Sequence, residues 1–80
     1  PKFTDIDGTN LQYAVNTSST VLRASNGRFY TVDNGVWFVS DNAAGPWAVS
    51  TERPDEVDRI PPNSPAYNTK YVYIYDVAPD

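Results

Sequence analysis

The chain contains neither cysteine nor histidine among its 80 residues. Without cysteine there is no disulfide framework and no thiolate metal site. Without histidine, imidazole ligands are excluded, and with them Ser-His-Asp and Cys-His nucleophilic catalysis. Basic residues are scarce as well: six Lys and Arg against ten Asp and Glu leave a net charge of -4. Sequence-independent nucleic-acid binding needs a basic surface that displaces counterions, so that class is disfavoured. Docking on anionic lipid is disfavoured for the same reason. No apolar run approaches the roughly 20 residues of a membrane-spanning helix, and no signal-peptide pattern is present. The opening Pro1-Lys2 implies a domain cut from a longer protein whose targeting sequence lies elsewhere.

Aromatic residues, in contrast, are abundant: two Trp, six Tyr and three Phe. Large rings bury much area per residue, which suits the thin core of a domain this small. They concentrate in Gly27–Trp47, GRFYTVDNGVWFVSDNAAGPW. Two Asn-Gly pairs, Asn26-Gly27 and Asn34-Gly35, lie eight residues apart. Asn-Gly tolerates the positive φ of tight hairpin turns, so the segment reads as three antiparallel strands near 21–24, 28–33 and 35–40. Further strands are expected at 11–15, 46–49 and 70–76, with 3–10 as a loop or irregular edge strand and 61–68 as an extended loop. Residues 54–60 form the one expected helix, because Pro54 suits a first turn, Asp55 and Glu56 its positive end, and Pro61-Pro62 stops it. The expected fold is therefore small and mainly β: a three-stranded antiparallel meander extended by flanking strands, with one short helix near 54–60. Residues 1–76 make a single domain and 77–80 a linker or tail. Expected core residues are Leu11, Tyr13, Val15, Val21, Tyr30, Val32, Trp37, Val39, Trp47, Val57, Ile60, Val72 and Ile74.

Several acidic patterns invite chemistry. Asp5-Ile6-Asp7-Gly8-Thr9 has the form of an aspartyl-phosphate nucleophile motif. That chemistry needs a buried strand ahead of it, Mg²⁺ ligands later in the chain and a doubly wound α/β domain, and none is indicated here. A surface turn accounts for the same residues. The EF-hand pattern fails, because glycine falls at position four instead of six, and Asn16 stands where glutamate is required. Glu52, Asp55, Glu56 and Asp58 offer paired carboxylates, but around a two-turn helix they read as solvated capping charges. Asn16-Thr17-Ser18 fits a glycosylation acceptor, which matters only in a eukaryotic secretory context. No catalytic residue, metal or cofactor is expected.

The remaining candidates are aromatic. In the expected strand 70–76, period two puts Tyr71, Tyr73 and Tyr75 on one face and Val72 and Ile74 on the other. If the valine and isoleucine face the core, the tyrosines form an exposed ladder; if not, the ladder vanishes. Trp37 and Trp47 are ligand-binding candidates too, since flat rings stack on sugars, although a small domain needs its largest side chains inside. Contiguous exposed aromatics serve equally well as a protein contact.

The order Gly8-Thr9-x-Leu11-x-Tyr13, Asn16-Thr17, Gly27-Arg28-Phe29-Tyr30, Gly35-Val36-Trp37-Phe38, Gly45-Pro46-Trp47 and Ile60-Pro61-Pro62-Asn63-Ser64-Pro65 resembles a family of modules. These occur in long bacterial proteins, often exported and sometimes labelled carbohydrate-binding family V/XII. The resemblance spans about residues 4–76, with Asp7 where such modules more often carry proline. It implies a non-catalytic structural or interaction module of a periplasmic, cell-surface or secreted bacterial protein. Its implied partners are neighbouring modules, other envelope proteins or a polysaccharide. A carbohydrate-binding module is the alternative.

Overall fold

The computed structural model describes residues 2–15 and 19–73. Among these described residues, six strands form one antiparallel sheet in simple sequence order: β1 (Thr4–Asp5), β2 (Gln12–Val15), β3 (Thr20–Arg23), β4 (Phe29–Asp33), β5 (Val36–Ser40) and β6 (Ala48–Val49). The meander around the two Asn-Gly turns is thus present and extended on both sides. The turns themselves differ. Asn34 and Gly35 both have positive φ, 51° and 76°, as a two-residue hairpin turn between β4 and β5 requires. At the other turn only Gly27 is positive, at 83°. There Gly27 N–H donates to the Ala24 carbonyl and Ala24 N–H to the Arg28 carbonyl, which makes a three-residue loop closed by a left-handed glycine.

The register explains which side chains go inward. Tyr13, Leu22, Tyr30 and Val39 are successive cross-strand partners, and Val32 pairs with Trp37. These residues share the inner face, where Leu11, Leu22, Tyr30 and Trp37 are buried with Ile6. Trp37 is 1% exposed and meets Tyr30 edge-on, with centroids 6.5 Å apart. Leu22, Ile6 and Ala66 join the core in addition to the expected residues. Val21 is buried too, but on the opposite face, where its partners are Ala14 and Thr31. Trp47 is only half-buried and stands outside the core cluster. Its ring packs on Gly45, whose φ is +93°; a Cβ there would lie 2.9 Å from Trp47 Cδ1.

After β6 the chain crosses the inner face as turns and two short 3-10 helices, Asp55–Arg59 and Tyr67–Tyr71. The first is the expected short helix, entered from an extended Pro54 and left at an extended Ile60, with Val57 and Ile60 buried as anticipated. The second corrects the expected strand at 70–76. Lys70 and Tyr71 belong to the 3-10 helix, and Val72 and Tyr73 continue beyond it outside the sheet. Ile74, Tyr75 and the expected tail lie outside the described residues. Alternation of Tyr with Val and Ile favours a strand, but local bonds prevail here. Ser64 N–H donates to the Pro61 carbonyl, Tyr67 N–H to Ser64, Thr69 N–H to Ala66 and Val72 N–H to Thr69. The Thr69 hydroxyl adds a 2.7 Å bond to the Ala66 carbonyl. The segment expected as an extended loop at 61–68 is likewise a run of turns. With the residues that follow, it covers the inner face through Ala66, Tyr67 and Val72.

Candidate functional site

The second 3-10 helix brings three tyrosines and two cations to one corner of the molecule. Val72 packs on the core and its carbonyl accepts a 2.7 Å bond from Trp37 Nε1. With Val72 turned inward, its neighbours point out: Tyr71 is 58% exposed and Tyr73 is 50% exposed. The inward direction of Val72 therefore decides between the two readings of the tyrosines, for the part of the ladder that is described. Tyr75, the third expected member, lies beyond it.

Tyr67 stands beside Tyr71 instead. Their rings are perpendicular, 86° apart with centroids at 5.6 Å, and their hydroxyls are 2.9 Å apart. The Lys70 ammonium sits between them, 4.9 Å from the Tyr67 ring centre and 5.4 Å from that of Tyr71. Each ring face attracts the cation through its quadrupole. Arg53, from the loop before the first 3-10 helix, closes the corner. Its guanidinium lies 4.7 Å over the Tyr73 ring, donates to the Lys70 carbonyl at 3.2 Å and pairs with Asp58 at 2.9 Å. Sequence reading found Tyr71 and Tyr73 but missed Tyr67, Lys70 and Arg53. Helical spacing of Tyr67 and Tyr71, four residues apart around a lysine, was the available signal. Nothing local could have supplied Arg53.

The two phenols titrate in opposite directions. Once Tyr67 ionises, the Tyr71 hydroxyl can donate to its oxygen and steady the phenolate, and Lys70 adds to this, so Tyr67 falls below the usual 10.0. Tyr71 is raised above it, first because its proton is held by Tyr67, then by burial and by the nearby Tyr67 and Tyr73 charges. For Tyr67, the lowered value means a contribution present above the unfolded pKa and lost as pH falls through the folded one. For Tyr71 the sign is reversed: the contribution holds below the unfolded pKa and is lost as pH rises through the folded one. A phenolate absorbance titration should show one tyrosine ionising early and one late. Tyr71→Phe should abolish the early step by returning Tyr67 upward, and an unchanged early step would disprove the bond.

The other sequence candidates go elsewhere. Trp37 is part of the core, with its indole N–H spent on Val72, and so offers no face to a ligand. Half-buried Trp47 lies on the β5–β6 connection, packed on Gly45. Asp5, at the end of β1, and Asp7, in the turn after it, are both exposed; Thr9 Oγ1 donates to the Ile6 carbonyl within the turn and Gln12 Nε2 donates to Asp5 across the strand pair. Glu56 accepts from the Asn10 N–H at 2.7 Å and from Arg59 at 3.0 Å, so it ties the first 3-10 helix to the opening turn. Among the described residues, no three His, Cys, Asp or Glu side chains converge as a metal ion requires. No family model matches the chain, and no curated protein or solved structure matches it either.

Proposed function

We propose that this domain is a non-catalytic interaction module of a larger bacterial exported or envelope protein. Its contact surface is the corner made by Tyr67, Lys70, Tyr71 and Tyr73. The observation that carries the reading is the outward turn of Tyr71 and Tyr73 on a segment whose next neighbour, Val72, is fixed in the core. Exposed rings of this size cost solvation and are favoured at protein contacts, where an apolar body and a polar tip both find use. The partners fitting this reading are neighbouring modules of the parent chain or other envelope proteins. Location in the periplasm, on the cell surface or outside the cell follows from the motif resemblance, as part of the same proposal.

The double variant Tyr71→Ser/Tyr73→Ser tests it. The variant removes the Arg53 stack and the Tyr67 contact but no core residue, so the melting temperature should fall by roughly 5–10 °C with the fold retained. Association with the adjacent module of the parent chain, followed by calorimetry, should weaken by about tenfold or more. Undiminished association would sink the reading. Carbohydrate binding is the second reading, favoured by the same two exposed rings. It calls for coplanar rings, and the one measured ring pair of the corner, Tyr67 with Tyr71, stands at 86°. Pull-down on chitin, cellulose and peptidoglycan decides it: binding that disappears in the double variant supports a glycan platform, and clean negatives remove it.

A further inference from the structure

Building on the assignment of the tyrosine corner as the contact surface, we infer that the corner recognises an acidic segment of a protein partner. The Lys70 ammonium and a phenol hydroxyl hold one carboxylate between them.

Three features of the corner point to an anion. Lys70 is the first. Among the described residues the ion pairs are Arg28–Asp41, Arg53–Asp58 and Arg59–Glu56, and none involves Lys70. Lys2 and Arg23 also stand outside these pairs, but among the described residues Lys70 is the one of the three held over two rings. Its two ring contacts restrict where the ammonium sits without neutralising it. Arg53, by contrast, is spent: its pairing nitrogen already holds Asp58, its other terminal nitrogen holds the Lys70 carbonyl, and its side chain is 14% exposed.

The hydroxyl pair is the second feature. In a Tyr–Tyr bond one hydroxyl proton is used and the other remains to be donated outward. Whichever hydroxyl donates, the free proton lies beside Lys70, whose ammonium sits over both rings. The third feature is ring geometry. A perpendicular pair presents a positive ring edge as well as a face, and edges attract carboxylate oxygens. Ammonium, hydroxyl donor and ring edge thus converge within one turn of chain. A flexible Asp or Glu side chain reaches such a corner easily. A pyranose ring would need a flat, coplanar platform to lie on.

Nuclear magnetic resonance titration of the domain with three synthetic peptides tests the assignment: a Glu-rich sequence, its Gln counterpart and a Lys-rich sequence. The Glu-rich peptide should shift resonances confined to residues 67–73, and the other two should leave them in place. Lys70→Gln, whose fold is checked by circular dichroism, should weaken the Glu-rich peptide about fivefold, the scale of one exposed charge pair. Equal shifts from the Gln peptide, no shifts from the Glu peptide, or full binding by Lys70→Gln each overturn the inference. So does a polygalacturonate titration that moves residues 67–73 while the Glu peptide does not, because the acidic partner is then a glycan. If peptides fail yet module association still depends on Tyr71 and Tyr73, the acidic-partner inference falls and the interaction reading stands. If peptides bind but module association ignores those tyrosines, the opposite holds.

Discussion

Replacing Trp37 with alanine should destabilise the domain by about 3–5 kcal/mol, the range for removing a large buried aromatic. The ring is 1% exposed and lies where three parts of the fold meet. It sits on β5 opposite Val32, meets Tyr30 of β4 edge-on and bonds the Val72 carbonyl of the C-terminal segment. A domain of 80 residues has a total stability of about 4–12 kcal/mol at 0.05–0.15 kcal/mol per residue. The alanine variant should therefore be largely unfolded at the lower end of that range and melt far below the parent at the upper end. Trp37→Phe separates packing from hydrogen bonding. It keeps most of the apolar volume but leaves the Val72 carbonyl without its donor, so about 1–3 kcal/mol should be lost. Urea denaturation of the three proteins checks both values. Alanine and parent midpoints that coincide would mean that Trp37 is not the keystone described here.

The same residue shows how far the sequence was legible. Two Asn-Gly pairs at hairpin spacing and alternating apolar residues between them specify strands with little help from the rest of the chain. β3, β4 and β5 accordingly lie within a residue of where the pattern puts them. Burial of Trp37, Val57 and Ile60 was legible for a similar reason, because each lies on the apolar side of its own element. The face of Val21 was not. Val21 and Leu22 are adjacent, both apolar and both buried, and only the pairing of Leu22 with Tyr13 and Tyr30 reveals that Leu22 points inward. A strand with apolar residues on both sides gives no period to read.

The C-terminal segment failed in a different way. Lys70-Tyr71-Val72-Tyr73 alternates like a strand, yet no strand edge receives it, and chain-local bonds between residues three apart set its shape. The exposure of Tyr71 and Tyr73, which alternation leaves open, is decided by one inward residue, Val72, which orients its neighbours in either conformation. The perpendicular Tyr67–Tyr71 pair was not legible, since on a strand Tyr67 and Tyr71 stand four residues apart along an extended chain and do not touch. Alternation thus names Tyr71 and Tyr73 as candidates without deciding their face, and the contacts that give the corner its chemistry depend on the turn.

Arg53 shows why those contacts are also the fragile ones. Arg53→Ala should cost about 2–3 kcal/mol. The bond from a charged donor to the Lys70 carbonyl is worth roughly 1.5–3 kcal/mol by itself. The stack on Tyr73 adds about 0.5–1 kcal/mol at an exposed ring. The Asp58 pair, with a carboxylate 58% exposed, contributes little. These contributions share one side chain and do not simply add. Arg53→Lys is the sharper variant. Lysine keeps the charge, but a single ammonium cannot lie flat on Tyr73 while also reaching a carbonyl and a carboxylate, which the planar guanidinium does at once. It should therefore lose most of what alanine loses. The loss should be local as well as global. Amide exchange should speed up at Thr69 to Tyr73 more than in β3 to β5, because Arg53 joins the loop before the first 3-10 helix to the end of the second. Uniform acceleration across the sheet would show that Arg53 supports the core, not the corner. Parental stability in Arg53→Lys would show that charge, not the fork, is what holds the tyrosines in place.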